Sequence, residues 1–334
     1  MPRLAVVSAL FVLAAHQGLA QQAGFDQPKE DKKKNEEPER KRPSVFHPAH
    51  MTTAAAQLGY AMRLEADGRL RKATRQYLAL VHNWHGAPEA LTAQWAAADL
   101  LERRGKFRDA FDEYQYLVDF FPGRFPFADI MDRQFRLAHQ IMNARHGRFG
   151  IFPGFTSPED ALPLFEKIVA DAPDWERAPE AQYLIGWIQE QRHEYEDAAL
   201  AYEHLRYRYP RSEFAAAAGY GQARSLYTLA KKHTRDEENL RKALSTLSAF
   251  VRDYPADPNA DAARKQLDEL RGRYARMHYE RAVFYDRLAH RPDAALIAYR
   301  AFLKRFPYSD LASDASERIK VLQSQVAASH EKTR

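Results

Sequence analysis

The chain of 334 residues carries 50 basic and 45 acidic side chains, a formal net charge of +5 spread along its length. So small an excess describes a well-solvated surface and excludes a nucleic-acid footprint, which needs its positive charge concentrated. The absence of cysteine excludes disulfides, thiolate metal sites and a cysteine nucleophile. A hydrophobic content of 45% supplies apolar surface for a substantial core.

Residues 1–20 read as a secretory signal peptide. Arg3 gives the positive start, Leu4 to Ala15 the apolar run, and Gly18-Leu19-Ala20 the small-residue cleavage pattern before Gln21. That run falls short of the roughly 20 residues a membrane-spanning helix needs, and no later stretch is apolar enough to cross a membrane. The expectation is export and cleavage to a water-soluble periplasmic protein. Residues 21–51 follow as a disordered charged tether, with Lys29 to Lys34 and Glu36 to Pro43 mixing both signs of charge around prolines. Such a segment buries too little apolar surface to offset the entropy of ordering it. Its interleaved acids argue against a basic patch for anionic lipid.

From residue 52 to 326 one pattern recurs six times: a large residue, alanine three positions on, a large residue four further, a large apolar residue three further, then a terminator. It reads Leu70, Ala73, Tyr77, Leu80, Trp84; Phe107, Ala110, Tyr114, Leu117, Phe121; Ala161, Phe165, Ile168, Ala172; Tyr195, Ala198, Tyr202, Leu205, Tyr209; Leu240, Ala243, Leu247, Phe250, Tyr254; and Ala295, Tyr299, Phe302, Phe306. Steps of three and four residues place these side chains on one face of a helix. The terminators at His85, Pro122, Pro173, Pro210, Pro255 and Pro307 lie 37 to 52 residues apart, and proline ends a helix because it lacks an N–H and clashes with the preceding turn. Ahead of each such helix a partner helix is expected, Ala54 to Ala66 and Ala90 to Arg104 in the first two pairs, with Gly68 and Gly105 in the turns. Ala61, Ala98 and Gly186 then share one slot where a small residue lets two helices cross closely. One hairpin cannot bury its apolar face alone, so the hairpins must stack. The fold expected is an all-α superhelical solenoid of about six hairpins, with no sheet. A polar capping helix runs from a cap at Ser309 to Val326, and a disordered tail covers 327–334.

Two segments depart from the repeat. In the third pair, between a helix from Phe127 to Arg145 and its partner from Pro158, Gly147, Gly150 and Gly154 interrupt an apolar insertion made of Phe149, Ile151, Phe152 and Phe155. It is either a loop folded back over its own helices or a docking loop for a partner. In the sixth pair the first helix is long, from Ala260 to Ala289.

Catalytic patterns fail on inspection. His193-Glu194 opens a zinc-protease motif, but Asp197 stands where the second histidine is required. His82 and His85 lack further metal ligands, His47 and His50 lie in the tether, and the glycines Gly219 and Gly221 lie inside a helix. No nucleophile elbow is present. No enzyme, cofactor or metal is expected.

The proline-closed hairpins, the stretch GRFGIFPGF and the run from Tyr254 through GRYARMHYERAVFYDRL to Pro307 together resemble the BamD family of outer-membrane barrel-assembly lipoproteins, which are tetratricopeptide-repeat proteins. The resemblance implies a periplasmic scaffold that holds the barrel-assembly complex and contacts unfolded outer-membrane proteins. It departs from the family in two ways. No cysteine is available for lipid attachment, so any association with the inner face of the outer membrane is peripheral, and six hairpins stand where five are usual. An adaptor in cell-division, envelope or secretion complexes is the alternative use of the same solenoid. In repeats of this kind the first helices line the concave face. The repeat register places Trp95, Asp99, Arg136, His139, Tyr183, Trp187, Tyr220, Arg224, Tyr227, Glu280 and Phe284 toward that groove. Aromatics combined with arginine suit recognition of polypeptide.

Overall fold

The computed structural model describes residues 39–146 and 155–332. The contacts divide the chain into Met1–Lys41 and Arg42–Arg334. The expected signal peptide and most of the expected tether lie outside the described residues, as do Phe149, Ile151 and Phe152 of the insertion.

From Arg42 onward the chain is a stack of helical hairpins. The first pair is α1 (Ala54–Ala66) with α2 (Leu70–Asn83), the second α3 (Glu89–Arg103) with α4 (Phe107–Phe120), the third α5 (Phe127–Met142) with α6 (Leu162–Asp171). The fourth is α7 (Ala178–Gln191) with α8 (Tyr195–Arg208), the fifth α9 (Phe214–Lys232) with α10 (Glu237–Asp253), the sixth α11 (Ala260–Val283) with α12 (Pro292–Arg305). A final helix, α13 (Ala312–Lys332), packs on α12. Each helix packs against its chain neighbours, and the first helices also meet one another, α1 on α3, α7 on α9 and α9 on α11. They therefore form one layer, with the second helices outside it.

The repeating alanines sit where helices cross. Ala73, Ala110, Ala161, Ala198, Ala243 and Ala295 are all fully buried. So are the large residues four positions on, of which Tyr114, Phe165, Tyr202 and Leu247 are wholly enclosed. The hairpin turns need one residue in the left-handed region. Gly68 (φ 72°) and Gly105 (φ 70°) supply it without cost, while His193 (φ 62°) and His290 (φ 48°) hold the same place, five residues before Ala198 and Ala295. His193 is thus a turn residue.

Four expectations are corrected. The tether does not run to residue 51 without contacts. His47 stacks on His82 at 4.0 Å, the Arg42 carbonyl lies 2.7 Å from His82 Nδ1, and the backbone N–H groups of His50 and Met51 both donate to Gln57 Oε1 at 3.0 Å. The buried end of α1 thereby captures the segment ahead of it. Second, α5 ends at Met142, and a two-residue antiparallel ladder pairs Arg145 with Thr156 and His146 with Phe155. A chain that doubles back at an insertion must give its backbone groups partners, and this short ladder does so. Third, the long helix of the sixth pair ends as α-helix at Val283 and finishes as a π-helical turn, Phe284–Leu288. Fourth, α13 continues past Val326 to Lys332, because the alanines, glutamate and lysine there favour helix and no glycine or proline interrupts them.

Glycines inside helices are informative only where a neighbour closes on them. A Cβ built on Gly186 would fall 2.8 Å from the Tyr202 ring, and one on Gly221 2.6 Å from it, so the ring is clasped between the first helices of two consecutive pairs. Gly272 has open space around it. Gly221→Ala is expected to destabilise by about 1–3 kcal/mol through overpacking. Gly272→Ala is expected to stabilise by about 0.5–1 kcal/mol by restoring helix propensity. Urea denaturation followed by circular dichroism checks both, and matched effects of the two substitutions would contradict the clasp.

Candidate functional site

The first helices carry a stripe that repeats with the fold. In the first, second and fourth pairs a glutamine, a small residue and a glutamate lie four residues apart: Gln57, Ala61, Glu65; Gln94, Ala98, Glu102; Gln182, Gly186, Glu190. That spacing stacks them on one helix face. Each glutamine is buried and donates its side-chain N–H to a carbonyl of the partner helix nineteen residues on, at 3.0 Å to Gln76, 2.8 Å to Glu113 and 2.9 Å to Ala201. A buried amide must find such partners.

The glutamates join one pair to the next. Tyr77 donates its hydroxyl to Glu65 at 2.8 Å, and Arg103 from the following pair donates to the same carboxylate at 2.8 Å. Tyr114 donates to Glu102 at 3.1 Å, which also accepts from Arg133 at 3.1 Å. Tyr202 donates to Glu190 at 3.1 Å, and Arg224 grips that carboxylate with two N–H groups, one at 2.7 Å. Tyr299 and Asp286 repeat the arrangement, with Arg318 of α13 at 2.6 and 2.7 Å. Burial raises the phenol pKa in all four, with the neighbouring carboxylates reinforcing it, and for Tyr299 to about 12. The hydroxyls therefore remain protonated donors. The Asp286 carboxyl is held below its ordinary range by the hydrogen bonds and charge of Arg318.

Several of the groove residues expected from the register take part in these joints or pack beside them. Asp99 pairs with Arg133 at 3.1 Å, Arg136 lies 3.6 Å from Glu102, and Arg224 is the Glu190 partner. Tyr183 packs on Tyr202 and Phe214, Tyr220 on Phe250 under Arg224, and Tyr227 donates to Glu269 with Lys231 over its ring. Trp187 is half-buried against the core of the first four pairs. Glu280 and Phe284 are exposed. Of the insertion residues only Phe155 falls in the described backbone, in the short ladder.

Trp95 meets Tyr114 edge-on with Arg133 5.7 Å from its ring centroid, and it also lines an open cavity of about 470 Å³ on the first-helix layer. Leu91 and Ala96 of α3 and Phe125 complete its apolar wall, and Asp99, Glu65 and Arg124 bring charge to its rim. Phe127 extends the aromatic surface, 6.5 Å from Phe125 and partly exposed. The sequence reading missed Arg124, Phe125 and Phe127. Their signal was the aromatic density of GRFPF, which is unusual in a hairpin connector.

At the two junctions without a tyrosine joint, where Phe165 and Leu247 take the tyrosine place, a histidine stands instead. His139 meets Phe135 and Phe165 edge-on with Nε2 3.8 Å from Glu180, and His278 meets Tyr274 and Phe306 with Nε2 3.9 Å from Glu237. Burial lowers both imidazole pKa values. Arg177 adds to the effect at His139, and Arg281 and Arg305 at His278. Among the described residues no group of three or more histidines or acids could hold a metal, and no helix is long and apolar enough to cross a membrane.

Residues 58–125 match a family model described as tetratricopeptide repeat, and residues 156–301 match one described as YfiO, outer membrane lipoprotein. No curated protein matches the chain. Solved structures similar to it include YrrB, titled a tetratricopeptide-repeat protein with an unusual peptide-binding site, at 18% identity over 64% of this chain and 92% of that one, TM-score 0.30. Another is a tetratricopeptide-repeat protein from Parabacteroides merdae, 15% identical over 81% and 98%, TM-score 0.29. A third is the C-terminal part of a repeat protein from Cytophaga hutchinsonii, 15% identical over 80% and 88%, TM-score 0.32. The hairpin stack has the tetratricopeptide-repeat fold, and the first of these matches falls on its first two pairs. Its second half carries the match to the outer-membrane lipoprotein family.

Glu190→Ala is expected to cost about 2–3 kcal/mol, since it leaves the buried Tyr202 hydroxyl and the Arg224 guanidinium without their acceptor. A double-mutant cycle with Arg224→Leu should give a coupling of about 1–2 kcal/mol, and additive losses would show that the joint is inert. The second expectation concerns pH. A histidine whose folded pKa is depressed is protonated more readily in the unfolded chain, so its stability contribution is lost as pH falls through its ordinary value of 6.5. His139→Gln should flatten the decline of the urea midpoint between about pH 7 and 5; an unchanged slope would place the titration elsewhere.

Proposed function

We propose that the first-helix layer holds extended segments of other polypeptides, and that the protein is a periplasmic, BamD-like scaffold assisting assembly and insertion of outer-membrane β-barrel proteins. The observation that carries the first part is the cavity at Trp95. An aromatic wall rimmed by Asp99, Glu65 and Arg124 suits a polypeptide with alternating apolar and charged side chains. The match of residues 156–301 to an outer-membrane lipoprotein family supports the second part. The partners proposed are the barrel-assembly complex and unfolded outer-membrane proteins. The contact proposed with the inner face of the outer membrane is through those partners.

The test is a photo-crosslinking residue placed at Trp95, Trp187 and Phe284 in turn, with mass spectrometry of what is captured in the cell. Capture of a barrel-assembly subunit or of nascent barrel proteins is the expected result. Recovery of peptidoglycan synthases, division proteins or secretion components alone would transfer the scaffold to those assemblies. In vitro, Trp95→Ala should weaken binding of an unfolded barrel-protein peptide by about tenfold or more.

A further inference from the structure

The long first helix of the sixth pair serves two pairs at once. Leu267, Leu270 and Tyr274 in its first half pack with Leu240, Leu247 and Phe250 of α10, whereas Ala275 and Ala282 in its second half pack with Tyr299 and Phe302 of α12. The sixth pair is thereby set along α11 from the fifth. Between α10 and the end of α12 a cavity of about 990 Å³ opens, with Leu244, Leu267 and Tyr274 as apolar surface. It is lined by α10, α11 and the last residue of α12, and shares no residue with the cavity at Trp95.

The charges around it are unequal. Arg241, Lys242, Arg271 and Arg305 line it against Glu237 and Glu238. Both acids are engaged: Glu237 pairs with Arg281 at 3.1 Å and accepts from the Tyr274 hydroxyl at 3.3 Å, and Glu238 pairs with Lys242 at 2.7 Å. Arg271 is turned to Asp268 at 3.4 Å. Arg241 and Arg305 are exposed and carry no ion pair among the described residues. The Arg305 guanidinium is held over the Tyr274 ring, 4.9 Å from its centroid. Two guanidiniums thus flank an apolar floor, each with donors free to grip a carboxylate. The stripe of α10 residues from Glu238 to Ser248 runs about 15 Å at 1.5 Å per residue, the reach of about four to five extended residues.

We infer that this cavity is a second polypeptide-binding site, taking an acidic segment of a partner protein with carboxylates on both sides of one apolar side chain. The apolar side chain rests on Leu244, Leu267 and Tyr274, and the carboxylates pair with Arg241 and Arg305. The site is independent of the proposed groove at Trp95 and uses opposite chemistry, cations around an apolar floor in place of an aromatic wall.

The test uses the full chain and a fluorescein-labelled peptide of about ten residues, with glutamates and aspartates flanking a central phenylalanine, read by fluorescence anisotropy. Arg241→Glu with Arg305→Glu is expected to raise its Kd by about tenfold or more. The same double reversal at Lys265 and Arg276, exposed cations of α11 outside the cavity, should change it by less than about twofold. Replacing the phenylalanine of the peptide by serine should also weaken binding. Trp95→Ala should leave this binding intact, which separates failure here from failure of the inner-groove reading. Equal loss in both double variants would reduce the effect to general attraction by a basic surface and overturn the site. So would binding to phosphatidylglycerol vesicles that the Arg241 and Arg305 reversals abolish while peptide binding is unaffected.

Discussion

A carboxylate shared between a tyrosine of its own hairpin and an arginine of the next is the interaction on which the stack depends. Apolar contact alone is non-directional and scales with area. Stripes of alanine and leucine that repeat every three or four residues would bury nearly as much surface if one hairpin slid by a turn against its neighbour. Glu65, Glu102, Glu190 and Asp286 accept one arrangement, because each must satisfy a buried phenol and a guanidinium from two different helices. A slip would leave both donors unpaired, which costs more than the pairing itself contributes. The small residue at the middle of the stripe belongs to the same device, since Gly186 makes room for the Tyr202 ring whose hydroxyl reaches Glu190.

Where the tyrosine is missing the joint changes character. Phe165 and Leu247 have no hydroxyl to orient a carboxylate, and at those junctions His139 and His278 stand among aromatic rings, each close to a glutamate of an adjoining helix. The third pair is also the one that carries the insertion, and the fifth precedes the long helix α11. Both junctions with weaker directional pairing thus adjoin a departure from the regular repeat.

The hairpins were legible because alanine, aromatic and proline positions recur at fixed offsets, and each follows from a local steric rule. Ala54–Ala66 and the helices from Leu70 and Phe107 lie where the pattern places them. The joints were legible in principle and passed over. Ala61, Ala98 and Gly186 were singled out as crossing points, while the glutamine four residues before and the glutamate four residues after each of them were not. A polar residue on an apolar face reads as solvent-facing until its partner is known, and that partner lies twelve or more residues away on another helix. The same limit explains the groove residues. Asp99, Arg224 and Tyr183 sit on the layer that the register assigns them, yet pairing across the junction engages them. The docking of Arg42 to Met51 was hidden for a related reason, because one buried glutamine, Gln57, orders a segment whose own composition favours disorder.

If conserved geometry within the repeat is occupied by holding hairpins together, surface for partners has to come from departures. Both proposed sites have that origin. The cavity at Trp95 is completed by Arg124 and Phe125, which belong to the connector GRFPF after a pair-closing proline and to no helix of the pattern. The cavity over Leu267 exists because α11 is long enough to be shared, so that α12 leaves the flank of α10 uncovered. A strictly regular array would close both spaces with its own side chains. An irregular one keeps the register set by its buried carboxylates while opening an aromatic pocket at one end and a cationic one at the other, and chemistries that differ so much do not compete for the same polypeptide segment.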